Sequence, residues 1–201
     1  FSLGEGVSSP EALIAAAAAR GFTALACTDT NGVYGAVEFQ QAADARGIRP
    51  ILGAHLVAGG EEAVVLATNA VGWAALCRVI TEIHWAEEKR GTGERGNGRT
   101  GEGTAFKERV LGMTGSSRSP VPPFSRSLSC LLAGDRAGLL VLSQSIPFLE
   151  RLIALSGPND VYAELRSGKE RHAVGAAARR LGIPARDRHR DPLRVRRPFA
   201  A

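Results

Sequence analysis

The stretch GFTALACTDTNGVYGAVEFQQAADARGIRPILGAHLV, Gly21 to Val57, decides the fold. Its opening, FTALAC, is apolar on both faces, the pattern of a strand covered on both sides in a parallel sheet. A polar turn, TDTNG, comes next. Ala36 to Arg46 then reads as a helix closed by Gly47, and Pro50 to Val57 as a second strand. A strand, a crossover helix and another strand in that order make a βαβ unit, which is right-handed and places its two strands in parallel.

Working outward, the pattern repeats. Upstream, SSPEALIAAAAAR sets Ser8 and Glu11 at capping-box spacing with Pro10 in the first turn, so a helix runs from there to a stop at Gly21. Downstream, Gly59-Gly60 separates the second strand from a third, Ala63 to Ala67. The segment from Val71 to about Glu88 spaces Trp73, Leu76, Ile80 and Ile83 three or four apart, one apolar stripe on a helix. Alternation resumes with the strand GLLVLS, a helix over Pro147 to Leu155, the strand VYAEL, and a helix over Lys169 to Leu181 that ends at Gly182-Ile183-Pro184. Five strands and five helices result, with a further short helix near Leu128 to Ala133. Such alternation implies an α/β fold built around a parallel sheet or barrel.

Between the two regular regions the composition changes. GTGERGNGRTGEG, residues 91 to 103, holds six glycines and no apolar side chain, and residues 89 to 129 read as a flexible Gly/Pro/Ser-rich insertion. Gly91, Gly93 and Gly96 satisfy a GxGxxG pattern, and Gly93 to Thr100 resembles a phosphate loop with Arg99 where lysine belongs. Overlapping matches are what low complexity produces. A phosphate loop needs a strand before it and a helix after it, and neither is indicated here.

The 201 residues, 44% hydrophobic and 22% charged, suit one domain with appendages. The expected divisions are 1–88 and 130–184 for the two parts of that domain, with the insertion between them and a basic tail at 185–201. The formal charge of +5 is concentrated in the tail: Arg186 to Arg197 carries six arginines against Asp187 and Asp191. It therefore marks a solvated end before it marks a nucleic-acid groove; Arg194, Arg196 and Arg197 are the candidates if DNA is touched at all. Cys27, Cys77 and Cys130 are far apart and form no metal-ligand pair, so they are expected to be small core residues in a reducing, cytoplasmic setting. VGWAALCRVI is interrupted by Arg78, which excludes a membrane span. The chain opens at Phe1, as a fragment or trimmed product would.

In order along the chain, FSLGEGVSSPEAL, GFTALACTDTNGVYGAVEF, AADARGIRPILGAHL, VGWAALCRVIT, GLLVLSQ and VYAELR resemble blocks of the amino-terminal PHP (polymerase and histidinol phosphatase) domain of bacterial DNA polymerase III alpha subunits, particularly the error-prone type. The resemblance covers most of 1–88 and 138–184. It stops at Arg90 and again at Pro184, as in a fragment, a frameshifted product or an eroded gene. It implies an incomplete PHP-type distorted (β/α)7 barrel with a disordered insertion. Active members hold divalent metals with histidines and carboxylates at the strand carboxyl ends, where paired cations clamp a phosphate ester and activate water.

Carried over residue by residue, that ligand set is thin. Asp29 matches the aspartate of a Thr-Asp-His motif whose histidine position is Thr30. His55 stands at a glutamate position, and Asp187 with His189 echoes an Asn-Asp-x-His motif amid arginines, which repel a cation. The plainer readings are a turn-forming role for Asp29, packing for His55, and tail composition for Asp187 and His189. His84 and His172 are expected on the surface; Tyr34 and Glu38 on a packing and a solvent face. The resemblance thus implies a non-catalytic PHP fragment of an alpha-type polymerase subunit, with the rest of that subunit, replisome proteins and, through the parent, DNA as partners. No cofactor is expected unless the site survives to hold Mn, Zn or Mg. The rival is a stand-alone metal-dependent phosphoesterase.

Overall fold

The computed structural model describes residues 8–91, 127–166 and 168–187, with side chains in the helix that ends at Gly91 described as far as Ala86. Six helices and six strands lie among them: α1 (Pro10–Ala19), β1 (Ala24–Thr30), α2 (Ala36–Ala45), β2 (Arg49–Ala58), β3 (Glu61–Ala67), α3 (Ala70–Gly91), α4 (Leu128–Gly134), β4 (Leu139–Ser143), α5 (Ile146–Ser156), β5 (Val161–Leu165), α6 (Arg171–Leu181) and β6 (Ala185–Asp187). The strands form one curled half-barrel sheet in chain order, β1 to β6.

Local chemistry accounts for the elements. Pro10 occupies the first position of α1, so the cap falls on Ser9 and not on Ser8; the Ala12 N–H donates to the Ser9 hydroxyl at 3.3 Å. In α3, Leu76, Ile80 and Ile83 are buried as the stripe requires, and Trp73 is half-buried. The helix ends at Gly21, Gly47 and Gly182 all adopt positive φ. The entry to α3 depends on a close approach: a Cβ at Gly72 would overlap the Gly138 carbonyl, which accepts from the Thr68 N–H at 2.9 Å.

One expectation fails. The sheet is not wholly parallel: β3 runs antiparallel to both β2 and β4, while β1–β2, β4–β5 and β5–β6 are parallel. The cause is Gly59-Gly60. Both adopt positive φ, 60° and 77°, the backbone of a two-residue hairpin turn, and a hairpin reverses the chain with no crossover helix. A second correction concerns TDTNG: Thr28 to Thr30 extend β1, because they pair in register with Gly53 to His55 on β2. A third falls at the other edge, where Ala185–Asp187, expected in the tail, pair with Ala163 to Leu165 as β6.

The core divides by sheet face. On one face Leu56, Val65, Val141 and Val161 pack under α3 to α6, and Leu52 packs with Ile14 and Phe39 of α1 and α2. On the opposite face strand residues meet one another: Ile51, Leu66, Leu140 and Leu142 cluster with Ala24, Val64 and Tyr162. Of the three cysteines expected in the core, Cys27 is half-buried against the α1–α2 cluster, Cys77 is half-buried and Cys130 is exposed. Tyr34, expected to pack, is 66% exposed in the turn before α2.

Candidate functional site: the carboxyl rim of the sheet

Five of the six strands point the same way, so their carboxyl ends share one rim: Thr30, Ala58, Ser143, Leu165 and Asp187. The reversed strand β3 starts on that rim with Glu61 and Glu62. Most of the buried polar side chains gather here: Asp29, Ser143, Glu164 and Asp187. Each needs a partner, because an unpaired carboxylate out of water is costly.

Alternation along the strands decides which rim residues can meet. Leu25 and Cys27 pack toward α1 and α2, and Asp29 falls on that same helix side. There its Oδ2 accepts the Gly35 N–H at 2.9 Å, and the carboxylate is only 3% exposed. His55 falls on the other face with Ile51, beside Thr30 in register, and its Nε2 lies 3.6 Å from Glu62 Oε2. Asp29 and His55 thus sit on adjacent strands but on opposite faces. Asp187 is on the far edge strand, 8% exposed, with Arg171 Nη1 at 3.0 Å from its Oδ2. His189, Arg194, Arg196 and Arg197 lie outside the described residues, as does most of the glycine-rich segment.

The sequence reading passed over the ionic part of this rim. Glu164, 4% exposed, accepts from Arg166 Nε and Nη2 at 3.1 Å; Arg166 follows it by two residues, just past the end of β5, a spacing that could have announced the pair. Arg186 stacks over the Tyr162 ring, 5.8 Å from its centroid. Glu61 accepts the Ser129 N–H at 2.8 Å and pairs with Arg151 at 2.8 Å, tying the start of α4 and the side of α5 to β3. Asn31, at positive φ, bridges β1 to β2 through Val57, donating to its carbonyl at 3.0 Å and accepting its N–H at 2.8 Å. His84, exposed as expected, reaches the Asn31 carbonyl at 2.7 Å. Burial pushes the Cys27 thiol above its ordinary range, and the nearby Asp29 carboxylate adds to the rise.

These donors do not fit a metal centre: among the described residues no three His, Cys, Asp or Glu side chains converge on a point. Asp29 is turned to a backbone N–H on the helix side, while Glu164 and Asp187 are already neutralised by guanidinium groups.

A half-barrel sheet with helices on one face and an ionic carboxyl rim defines the class, and the family model of the PHP domain matches residues 1–168: the chain belongs to the PHP domain family. Among curated proteins it is similar to the error-prone DNA polymerase of Symbiobacterium thermophilum, 48% identical over 93 residues that make up 46% of this chain and 9% of that protein. It is similar too to the error-prone DNA polymerase of Anaeromyxobacter sp. (strain K), 42% identical over 101 residues, 47% of this chain and again 9% of the relative. The chain therefore spans under a tenth of the length of these relatives. In fold it is similar to an amidohydrolase from Chromobacterium violaceum, solved with bound sulfate and no metal, with TM-score 0.57, 18% identity, and 98% of this chain and 91% of that one covered. A protein from Bifidobacterium adolescentis described as a metal-dependent phosphoesterase gives TM-score 0.54 and 15% identity over 91% and 82% of the two chains.

Proposed function

We propose that the chain is a non-catalytic PHP domain of a DNA polymerase III alpha-type, error-prone polymerase, acting as a scaffold for the polymerase parts of such a protein in replication or repair synthesis. The observation that carries this reading is the commitment of the rim carboxylates. Asp29 is held by the Gly35 N–H, Glu164 by Arg166 and Asp187 by Arg171, so the charge that would recruit a divalent cation is spent inside the fold. Thr30, beside His55, supplies a hydroxyl, a poorer ligand than imidazole for such metals. The chain also follows error-prone polymerases in sequence over nearly half its length. Within this reading, 1–88 and 130–187, the latter ending in β6, belong to one domain flanking an insertion, with a basic tail after them; the partners are the remainder of the alpha-type subunit and, through it, DNA.

A stand-alone phosphoesterase is the rival, favoured by the near-complete coverage of the Bifidobacterium neighbour. Elemental analysis of purified protein, with a phosphomonoester assay and primer extension, separates them. The scaffold reading expects substoichiometric Mn, Zn and Fe, no turnover and no extension. Stoichiometric metal with phosphatase activity that Asp29→Ala abolishes would establish the rival.

A further inference from the structure

We propose that the outer edge of β1, with the apolar outer side of α1 beside it, docks a second copy of this chain, the two β1 strands pairing antiparallel about a two-fold axis normal to the sheet. The proposal goes beyond the scaffold reading and does not depend on it. Among the described residues β1 and β6 are the two edges of the sheet, and they differ. β6 is three residues long and carries Arg186 and Asp187, a short charged edge that resists further pairing. β1 is seven residues long, ALACTDT, with no lysine, arginine or proline to blunt it. Its one charged side chain, Asp29, lies on the helix side and accepts the Gly35 N–H.

The parallel ladder fixes which groups face outward. The Thr23 carbonyl accepts from the Arg49 N–H at 3.0 Å, and the Asn31 N–H donates to the His55 carbonyl at 2.9 Å, so the odd-numbered residues between them turn their backbone to β2. The N–H and C=O groups of Ala24, Ala26 and Thr28 therefore point away from β2. Ala26, in the middle of the strand, is exposed. The neighbouring helix shows the same want of cover. In α1, PEALIAAAAA, Glu11 is the one charged residue and the helix is apolar all round, the composition of a buried helix, yet its buried residues are Pro10, Ile14 and Ala17 alone. Leu13 is 47% exposed, and Phe22, just past the end of α1, is 54% exposed.

A second copy fits this edge for three reasons. An edge without lysine or arginine meets itself with little like-charge repulsion. A two-fold axis normal to the sheet keeps the helices of both copies on one side, so the outer sides of the two α1 helices meet where the strands join. Pairing of β1 with β6 of the next copy would instead build an open chain of copies, and the charged β6 disfavours it. Seven residues of strand span about 23 Å and a helix is about 10 Å across, so the joined layers cover on the order of 400 Å² per copy. That is about half of a standard interface, which makes the dimer weak and concentration-dependent.

Sedimentation of the full chain over a wide concentration range, with residue-resolved amide hydrogen exchange at both ends of it, tests the proposal. A monomer–dimer equilibrium is expected, with exchange at Ala26 and Thr28 slowed in the dimer and exchange at Cys27, already turned to β2, unchanged. Ala26→Lys brings like charges together across the axis and should weaken dimerisation about fivefold, with the melting temperature of the dilute chain unchanged because Ala26 is exposed. Leu13→Glu should weaken it as well, whereas Trp85→Ala, exposed on α3, should not. A chain that stays monomeric throughout overturns the proposal, as does a dimer that Ala26→Lys leaves intact or that is lost on removal of residues 188–201. Growth past the dimer into longer assemblies overturns the two-fold arrangement. Ala26 and Thr28 amides already protected in the dilute monomer would show the edge to be covered within the chain, and would overturn it too.

Discussion

The two ends of the rim solve one problem in different ways. On β1 a buried carboxylate, Asp29, accepts a backbone N–H from six residues on. On β5 and β6 the buried carboxylates Glu164 and Asp187 pair with guanidinium groups, one just past the end of β5 and one from α6. The first arrangement fixes a loop against its own strand. The second binds separate elements together and leaves cation surface facing outward. The difference teaches that buried charge at a strand end need not mark a metal centre: its partner decides what the site can hold.

Removing the counter-ions should expose the contrast most strongly. Arg166→Ala takes a guanidinium partner from the buried Glu164 and should lower stability by about 3 kcal/mol in urea unfolding at pH 7. Combining it with Glu164→Gln should recover much of that loss, while equal losses in single and double variants would break the ion-pair account. At the other end, Asp29→Ala strands the Gly35 N–H and should cost about 2 kcal/mol, but Asp29→Asn only about 1, since an amide oxygen can still accept. If Asn proves as damaging as Ala, the charge of Asp29 matters and the comparison collapses.

Smaller effects sharpen it. His55 and Glu62 are partly exposed at 3.6 Å, so His55→Ala should shift stability by under about 1 kcal/mol, and by less in high salt. Cys27 responds to pH through Asp29 and burial. Its thiol is raised in the folded state, so the stabilising contribution is complete below the unfolded thiol's range and is lost as pH rises through the higher folded value. Alkylation at pH 8 should accordingly modify exposed Cys130 first and Cys27 last; a Cys27 that reacts with Cys130 would show that burial does not govern its thiol.

Much of the scaffold was legible in the residues. Helix stops at Gly21, Gly47 and Gly182, the stripe of α3 and the strands VYAEL and LLVLS all rest on local periodicity and turn chemistry, which a single segment carries. The direction of β3 was legible in principle, because Gly59-Gly60 between two apolar runs is a hairpin signal; the strength of the βαβ pattern on either side obscured it. The candidate site was less legible. Asp29 and His55 were found as polar residues at strand ends, but their placement on opposite faces depends on registers fixed by pairing.

The sequence by itself determined the alternation of elements, the family resemblance, and the confinement of net positive charge to the end of the chain, since each is a property of consecutive residues. Only the tertiary structure decided which way β3 runs, that Arg171 reaches Asp187 from another element, and that Arg166 and Lys169 line one cavity with it. Those are facts about distance through space. A residue's charge is written in the chain, but whether that charge is spent or available depends on what the fold brings beside it.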